Sequence, residues 1–169
     1  ETCIPQFVRD WQEGHPRHIY NEQSFPRLTE TPIPRWDLLD AKKYAMLSLQ
    51  FSRGCPFNCD FCNVVSLFGH SPRTKSVPQV LAELDAIYAR GWRGGVFFVD
   101  DNFIGNKKLL KREVLPAMIE WSQEHGYPFG FFTEVSINLA DDEELMDLMV
   151  KAGFDNVFVG IETVDEDCL

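Results

Sequence analysis

Four short, mostly apolar runs alternate along the chain with longer stretches in which apolar residues recur at helical spacing. The runs are residues 46–51, 95–99, 129–135 and 157–161. Each run predicts a β-strand, and the stretches between them predict amphipathic helices. Such an alternation is typical of a parallel sheet covered by helices, so we expect an α/β fold with four β/α units in progress.

The first of these helices has the clearest sequence signals. Ser76 and Gln79 have the spacing of an N-terminal capping box, and Gly91 is a natural C-terminal stop. The apolar stripe between them consists of Val80, Leu81, Leu84, Ile87 and Tyr88. A stripe of this spacing predicts an amphipathic helix with one buried face.

Two further helices are predicted. One covers residues 107–125, with a kink or break at Pro116, because proline removes a backbone hydrogen bond. The other covers about residues 142–152, with Asp141 as its N-cap and Gly153 as its end.

The first 45 residues differ from the rest of the chain. They contain five prolines and few sustained periodic patterns, so we interpret residues 1–45 as a proline-rich linker or irregular wrap. Within this segment, residues 18–20 favour a short strand and residues 36–44 favour one helical turn. Residues 46–169 form the second unit.

Four parallel strands do not close a barrel, and residues 164–169 resemble the start of another element. The sheet is either open or the first part of a barrel whose C-terminal strands are absent from the sequence, and we favour the barrel. In both architectures ligands bind at the carboxyl ends of the strands. The residues directly after each strand are therefore the first candidates for a functional site.

The composition supports a globular domain. Apolar residues make up 44% of the 169 residues and charged residues 25%, which argues against a disordered, collagen-like or disulfide-scaffold chain. No apolar run approaches the roughly 20 residues that cross a bilayer. Residues 141–169 contain ten acids and one base, and so carry −9 of the formal net charge of −10. We interpret this segment as a solvated helix face with carboxylates at helix N-termini, and the lack of a diffuse basic face argues against a nucleic-acid partner.

Three cysteines follow the first predicted strand in a C-x3-C-x2-C loop, namely Cys55, Cys59 and Cys62. Thiolates this close together fit a metal or cluster site better than a disulfide framework, and they indicate a reducing compartment. Structural zinc sites use four protein ligands in paired knuckles, and no second pair is present in the sequence. A four-iron cluster held by three thiolates leaves one iron open to an exogenous ligand. The spacing favours an iron–sulfur cluster, with zinc or plain reduced thiols as alternatives.

With Phe61 as its aromatic residue, the C-x3-C-x-aromatic-C loop after a first strand resembles the radical S-adenosylmethionine (radical SAM) superfamily. The resemblance implies a partial (β/α)6 TIM-like barrel in which Cys55, Cys59 and Cys62 hold a [4Fe-4S] cluster. It also implies that SAM chelates the open iron and that Phe61 belongs to the cofactor-binding residues. An electron from the reduced cluster would cleave SAM to methionine and a 5′-deoxyadenosyl radical, which abstracts hydrogen from an unreactive carbon.

The second predicted strand ends at Asp100, Asp101 and Asn102, where the superfamily has a glycine- and glutamate-containing motif for the SAM amino group. The usual Gly-Gly-Glu-Pro letters are absent. The position still implies SAM binding, because adjacent carboxylates accept charge-assisted hydrogen bonds from an ammonium group. A turn-capping role for Asp101 or Asn102 is the alternative.

Other candidate SAM or substrate contacts follow from the same resemblance. Glu134 and Ser136 lie at the third strand end, and the sequence leaves open whether Glu134 faces the barrel mouth or solvent. Glu162 and Thr163 are similar to the Gly-x-Glu-Ser/Thr pattern of many members, with helix capping as the alternative. Arg73 resembles the basic stretch after the cluster loop and would pair with the SAM carboxylate, unless it is a surface arginine.

Residues 31–39, 51–55 and 98–104 together resemble the cobalamin-dependent radical SAM subgroup, similar to hopanoid C-methylase-like enzymes. The resemblance implies methylation of an unactivated carbon on a lipid or terpenoid-like substrate. The Asp-x-His-x-x-Gly cobalamin motif does not occur in these residues, so we expect cobalamin on a domain outside the sequence. Two alternatives stay open: another radical SAM reaction, such as methylthiolation or ring rearrangement, and a non-catalytic iron–sulfur or zinc module for electron transfer.

The same resemblance implies partners and a location for the protein. We expect a small-molecule or lipid substrate and an electron donor such as flavodoxin or ferredoxin. The expected location is cytoplasmic, or membrane-peripheral if the substrate is a lipid.

Overall fold

The computed structural model describes residues 3–21, 24–163 and 165. Its helices are α1 Cys3–Gln12, α2 Val64–Phe68, α3 Val77–Ala89, α4 Lys107–Leu109, α5 Leu115–Glu124 and α6 Glu143–Ala152. Its strands are β1 Met46–Leu49, β2 Ser52–Arg53, β3 Arg73–Thr74, β4 Gly95–Phe98, β5 Gly130–Ser136 and β6 Phe154–Gly160. Among the described helices, none has the length and apolar character needed to span a membrane. The element predicted to begin at residues 164–169 lies almost entirely outside the described residues.

Four strands form one parallel sheet in the order β1-β4-β5-β6. Leu49 pairs with Phe98, Phe98 with Thr133, and Ser136 with Gly160. The prediction of an α/β fold with a parallel sheet is therefore confirmed. Because the strands run in the same direction, their carboxyl ends meet at one edge of the sheet.

One apolar core lies between the sheet and helices α3, α5 and α6. Fully buried side chains of this core include Leu84, Phe98, Leu115, Phe131 and Leu145. Phe97 and Phe132 lie on the opposite face, where they are partly buried and their ring centroids are 4.8 Å apart. The described helices thus cover one face of the sheet, and the other face is more open.

The ends of α3 and α6 follow from their sequences. Ser76 and Gln79 form the predicted capping box of α3. Gly91 and Gly153 follow α3 and α6 with φ of +78° and +109°, the left-handed conformation that ends a helix at glycine. The N-cap of α6 is Asp142, whose side chain accepts the Leu145 amide, so the predicted cap at Asp141 is wrong by one residue.

The predicted helix over residues 107–125 is interrupted. A π-helical turn, Leu110–Val114, joins α4 to α5, and Pro116 lies in the first turn of α5. Proline cannot donate to the carbonyl four residues earlier, and a wider turn before it accommodates that missing bond. The predicted break is present, but it lies just before Pro116.

Residues 3–45 contain more regular structure than the proline count predicts. Helix α1 was not expected, and it places Pro5 in its first turn, where proline is tolerated. Residues 18–20 do not form the predicted strand. The predicted turn at residues 36–44 corresponds to two 3-10 turns, Trp36–Leu38 and Ala41–Lys43.

Candidate functional site

The loop that carries the three clustered cysteines leaves the sheet through a narrow neck. β2 and β3 pair antiparallel and hold the two ends of this loop together. Gly54 has a φ of +98°, and a Cβ atom there would come within 2.8 Å of the Gly69 carbonyl oxygen. The Cys55 amide donates to the same oxygen at 3.2 Å. Position 54 therefore requires glycine for both its conformation and its space.

The three thiols lie on the outer part of this loop. Cys55 is partly buried, Cys59 and Cys62 are exposed, and none of the three forms a disulfide. The Cys62 amide donates to the Cys59 carbonyl at 3.0 Å, which curls the loop. Within the described ranges, no three His, Cys, Asp or Glu side chains converge tightly enough to hold one metal ion. A four-iron cluster would take one thiolate on each of three irons, which three neighbouring cysteines can supply.

A cavity of about 530 Å³ opens beside these thiols at the carboxyl ends of the strands. Its volume lies within the range of roughly 300–1,000 Å³ that is usual for small-molecule sites. Of the residues proposed from the sequence, its lining includes Cys55, Cys59, Phe61, Cys62, Asp101, Asn102, Glu134, Ser136, Glu162 and Thr163. The structure thus brings candidates from separate strand ends into one site.

Three carboxylates give this cavity a negatively charged wall. Asp101 follows β4, Glu134 lies in β5, and Glu162 follows β6. Glu134 is exposed on the open face of the sheet, toward the cavity, which resolves the orientation left open by the sequence. Burial raises the pKa of Asp101. A wall of this kind suits a ligand that carries a positive charge.

Asp100 differs from its neighbour in that its carboxylate bonds to the protein. The side chain is 1% exposed; Oδ2 accepts the Phe51 amide at 2.9 Å, and Oδ1 accepts the Ser52 amide. Burial raises the pKa of Asp100 to about 6, against the lowering effect of these hydrogen bonds. Asp100 lines a smaller adjoining cavity of about 240 Å³ rather than the large one. It therefore braces the chain before the cysteine loop, and its contact with SAM stays a prediction.

Asn102 connects the cysteine loop with the end of β5. Its Nδ2 lies 3.9 Å from Cys55 Sγ and 3.2 Å from Ser136 Oγ, while its Oδ1 accepts the Ser136 amide at 3.3 Å. Ser136 Oγ in turn donates to Asn138 Oδ1 at 2.8 Å. The Asn102 side chain makes no cap bond to the following 3-10 turn, so the alternative of a turn cap is not supported for this residue.

Glu162 enters the cavity wall from an unusual backbone conformation. Its φ is +64°, which is uncommon for a residue other than glycine. Its carboxylate folds back over Gly160 so closely that a Cβ atom at residue 160 would displace it. Thr163 Oγ1 accepts the Asp165 amide at 3.1 Å, a local turn contact. The end of β6 therefore turns sharply and directs Glu162 toward the cavity.

Arg73 is not among the residues that line the large cavity. Its guanidinium lies 4.8 Å from the Phe25 ring centroid and donates to the carbonyls of Pro26 at 2.5 Å and Phe68 at 3.2 Å. Arg73 thus ties the N-terminal segment to the cysteine loop. Its pairing with a SAM carboxylate stays a prediction that this geometry does not support.

Two features of the site were not found by sequence reasoning. One is the bracing role of Asp100, which joins segments far apart in the chain and leaves no local sequence signal. The other is the apolar part of the cavity wall, formed by Phe57, Val135, Ile137, Phe158, Gly160 and Ile161. The position of these residues at or beside strand ends was the available signal.

Comparison with known proteins identifies similar chains. The Radical SAM superfamily model matches residues 49–169. An uncharacterized methyltransferase of Synechocystis is 53% identical over the whole chain and 31% of its own length, and the hopanoid C-2 methylase of Rhodopseudomonas palustris is 42% identical over the whole chain and 32% of its length. The radical SAM methyltransferase TsrM of Kitasatospora setae shares the fold, with a TM-score of 0.67 and 19% identity over 84% of this chain and 27% of that one. The chain spans about a third of the curated relatives that it matches.

Proposed function

The chain belongs to the radical SAM superfamily, and we propose that the full-length protein uses SAM to methylate an unactivated carbon. One observation carries the proposal: the three thiols of the cysteine loop share a cavity with carboxylates from the strand ends. A bound [4Fe-4S] cluster would supply the electron that splits SAM and releases the 5′-deoxyadenosyl radical. The residues of the chain bind, orient and enclose these groups.

We assign the cluster to Cys55, Cys59 and Cys62. Their exposure supports this assignment, because thiols already at the cavity surface reach an inorganic cluster without unfolding of the sheet. Three thiolates would leave one iron of a four-iron cluster open to an exogenous ligand. Phe61, between two of these ligands in the sequence and 72% exposed, would cover the bound cofactor.

We assign SAM binding to the wall opposite the loop. SAM carries a positively charged ammonium and a sulfonium, and Asp101, Glu134 and Glu162 offer carboxylates to both. Ser136 and Thr163 add hydroxyl groups at the same wall. These contacts would bind SAM and orient it beside the cysteine loop.

We further propose that methyl transfer depends on cobalamin held by a part of the protein outside these residues. TsrM was solved with cobalamin and a [4Fe-4S] cluster bound, and the relative from Rhodopseudomonas palustris is a hopanoid methylase. The exposed apolar residues Phe57, Phe158 and Ile161 at the cavity support a lipid or terpenoid-like substrate. An electron donor such as flavodoxin or ferredoxin, and a membrane-peripheral location, belong to the same proposal.

The test is electron paramagnetic resonance on the full-length protein, reconstituted anaerobically with iron and sulfide and then reduced. We expect a [4Fe-4S] signal that changes when SAM is added. Cys59→Ala should lose this signal, whereas Cys3→Ala, a change in α1 outside the cavity lining, should keep it. A signal that SAM leaves unchanged, or zinc in place of iron, contradicts the proposal.

Product analysis separates the enzymatic alternatives. The proposed reaction yields 5′-deoxyadenosine and a methylated product that depends on cobalamin. Methylthiolation would need a second cluster or an added RNA-binding domain, and a ring rearrangement would leave the substrate without an added methyl group. A non-catalytic electron-transfer module would bind iron and release no 5′-deoxyadenosine.

A further inference from the structure

We propose that Asn102 donates a hydrogen bond to the Cys55 thiolate and so raises the reduction potential of the cluster bound there. The inference rests on the proposed function, because it assigns Cys55 to the cluster. Asn102 Nδ2 lies 3.9 Å from Cys55 Sγ, within reach of an acceptor as large as sulfur. The contact crosses from the end of β4 to the cysteine loop.

The orientation of the Asn102 amide follows from its neighbours. The backbone amide of Ser136 is an obligate donor, and it points to Asn102 Oδ1 at 3.3 Å. The carbonyl oxygen of the side chain is therefore turned toward β5. The NH₂ group must then face the other way, toward Ser136 Oγ and Cys55 Sγ.

The donors of this NH₂ group can be counted. The hydroxyl of Ser136 has one hydrogen, and it goes to Asn138 Oδ1 at 2.8 Å, because the alternative acceptor, Asn102 Oδ1, is farther away at 3.4 Å. Ser136 Oγ is thus free to accept one N–H of Asn102, at 3.2 Å. The second N–H of Asn102 is left for the thiolate of Cys55.

Burial strengthens the effect of this hydrogen bond on the reduction potential of the cluster. Asn102 is 3% exposed, so water competes little for its N–H groups. A hydrogen bond to a ligating sulfur stabilises the reduced cluster, which carries more negative charge than the oxidised one. A carboxylate at this position would repel the thiolate, which gives a physical reason for asparagine after the two aspartates Asp100 and Asp101.

The test is a redox titration of the reconstituted full-length protein without SAM, followed by the electron paramagnetic resonance of the reduced cluster. We expect a more negative midpoint potential in Asn102→Ala and a still more negative one in Asn102→Asp. Ser136→Ala keeps the backbone amide that orients Asn102, so any shift in this variant should be smaller than that in Asn102→Ala. Asn156→Ala, an exposed change on β6 outside the cavity lining, should leave the potential unchanged.

Equal potentials in the wild type, Asn102→Ala and Asn102→Asp overturn the inference. If Asn102→Ala takes up no cluster, Asn102→Asp decides, because it keeps the size of the side chain and removes its NH₂ donors; an unchanged potential there also overturns the inference. Failure of the proposed function looks different, since the wild type itself would then lack a [4Fe-4S] signal that responds to SAM.

Discussion

Asp100 and Ser52 lie 48 residues apart in the chain, yet the buried carboxylate of Asp100 accepts the backbone amide of Ser52. The other carboxylate oxygen accepts the amide of Phe51 at 2.9 Å. One side chain at the end of β4 therefore fixes the two residues that enter the neck of the cysteine loop. The geometry of the loop depends on a group that touches none of its thiols.

Removal of this carboxylate should loosen the entry to the loop. Asp100→Ala leaves two buried amides without their acceptor, at a cost of about 1–3 kcal/mol each. We expect faster amide hydrogen exchange at residues 51 and 52 and less iron bound per chain after reconstitution. Asp147→Ala removes an exposed carboxylate on α6 and is the matched control. Unchanged exchange at residues 51 and 52 would show that other contacts hold this segment.

Asp100 also predicts a pH dependence of stability. Burial raises its pKa from 3.8 to about 6, so between these values the folded state binds a proton that the unfolded state has released. The free energy of unfolding should therefore fall as pH rises through this window and level off above it. A rise of the pKa from 3.8 to about 6 corresponds to a loss of roughly 3 kcal/mol in the free energy of unfolding across this window.

The measurement is urea unfolding of the full-length protein without its cluster, at about pH 4.5 and pH 7. These two values span most of the range in which the stability should change. Asp100→Asn is neutral at both pH values and serves as the reference. We expect the stability of the wild type relative to this variant to be lower at the higher pH. A difference that stays the same at both pH values contradicts the raised pKa.

Alanine substitutions at Gly54 and Gly91 distinguish the cost of a positive φ from the cost of a steric clash at Cβ. Both are left-handed, with φ of +98° and +78°, but a Cβ atom collides with the Gly69 carbonyl at residue 54 and meets nothing within 4 Å at residue 91. Gly91→Ala should cost about 1 kcal/mol and leave iron content intact. Gly54→Ala should lower the iron bound per chain, as measured by iron analysis after reconstitution. Equal iron content in the two variants would refute a steric requirement at the neck.

Lys75 and Glu83 form a buried ion pair, and we expect loss of one partner to destabilise the fold more than loss of both. The two side chains are 7% and 2% exposed, and burial raises the pKa of Glu83 while Lys75 lowers it. Lys75→Met leaves a buried carboxylate alone, and we expect a loss of about 3–5 kcal/mol in urea unfolding. Lys75→Met combined with Glu83→Leu should recover much of this loss. A double variant as unstable as the single one would mean that the site needs the charges themselves.

Asp142 is the N-cap of α6, and its neighbour Asp141 provides a matched control for this role. Asp142 accepts the Leu145 amide at 3.2 Å and pairs with Lys111 at 3.2 Å. Asp142→Ala should lower the free energy of unfolding by about 1 kcal/mol, whereas Asp141→Ala should change it by less than half as much. Circular dichroism during urea unfolding measures both. Equal effects would show that the cap is shared.

The sequence predicts the elements whose signals are local. The capping box of Ser76 and Gln79, the stop at Gly91 and the four apolar strands need no knowledge of the rest of the chain, and all are present. The first strand ends two residues before its predicted end, and the fourth begins three residues before its predicted start. Helix α1 was missed because Pro5 was counted as a breaker, although the first turn of a helix accepts proline. The stripe of Ile4, Phe7, Val8 and Trp11 was the signal that outweighed it.

The site is predictable to the extent that parallel strand ends converge. Asp101, Glu134 and Glu162 share a cavity for this reason. The roles of Asp100 and Arg73 were not predictable, because each depends on at least one partner 47 to 49 residues away in the chain. Side chains of the same type at neighbouring positions, such as Asp100 and Asp101, differ in role because one points into the protein and the other into the cavity.

The antiparallel pair of β2 and β3 has a consequence for where this chain tolerates insertions. It closes the cysteine loop at its base, so the length of the segment beyond Cys62 is decoupled from the register of the parallel sheet. Doubling the length of a closed flexible loop costs only about 0.6 kcal/mol in chain entropy. Added residues in the part of the loop between Cys62 and α2 should therefore cost little stability and leave the cysteine spacing and the pairing of the sheet unchanged.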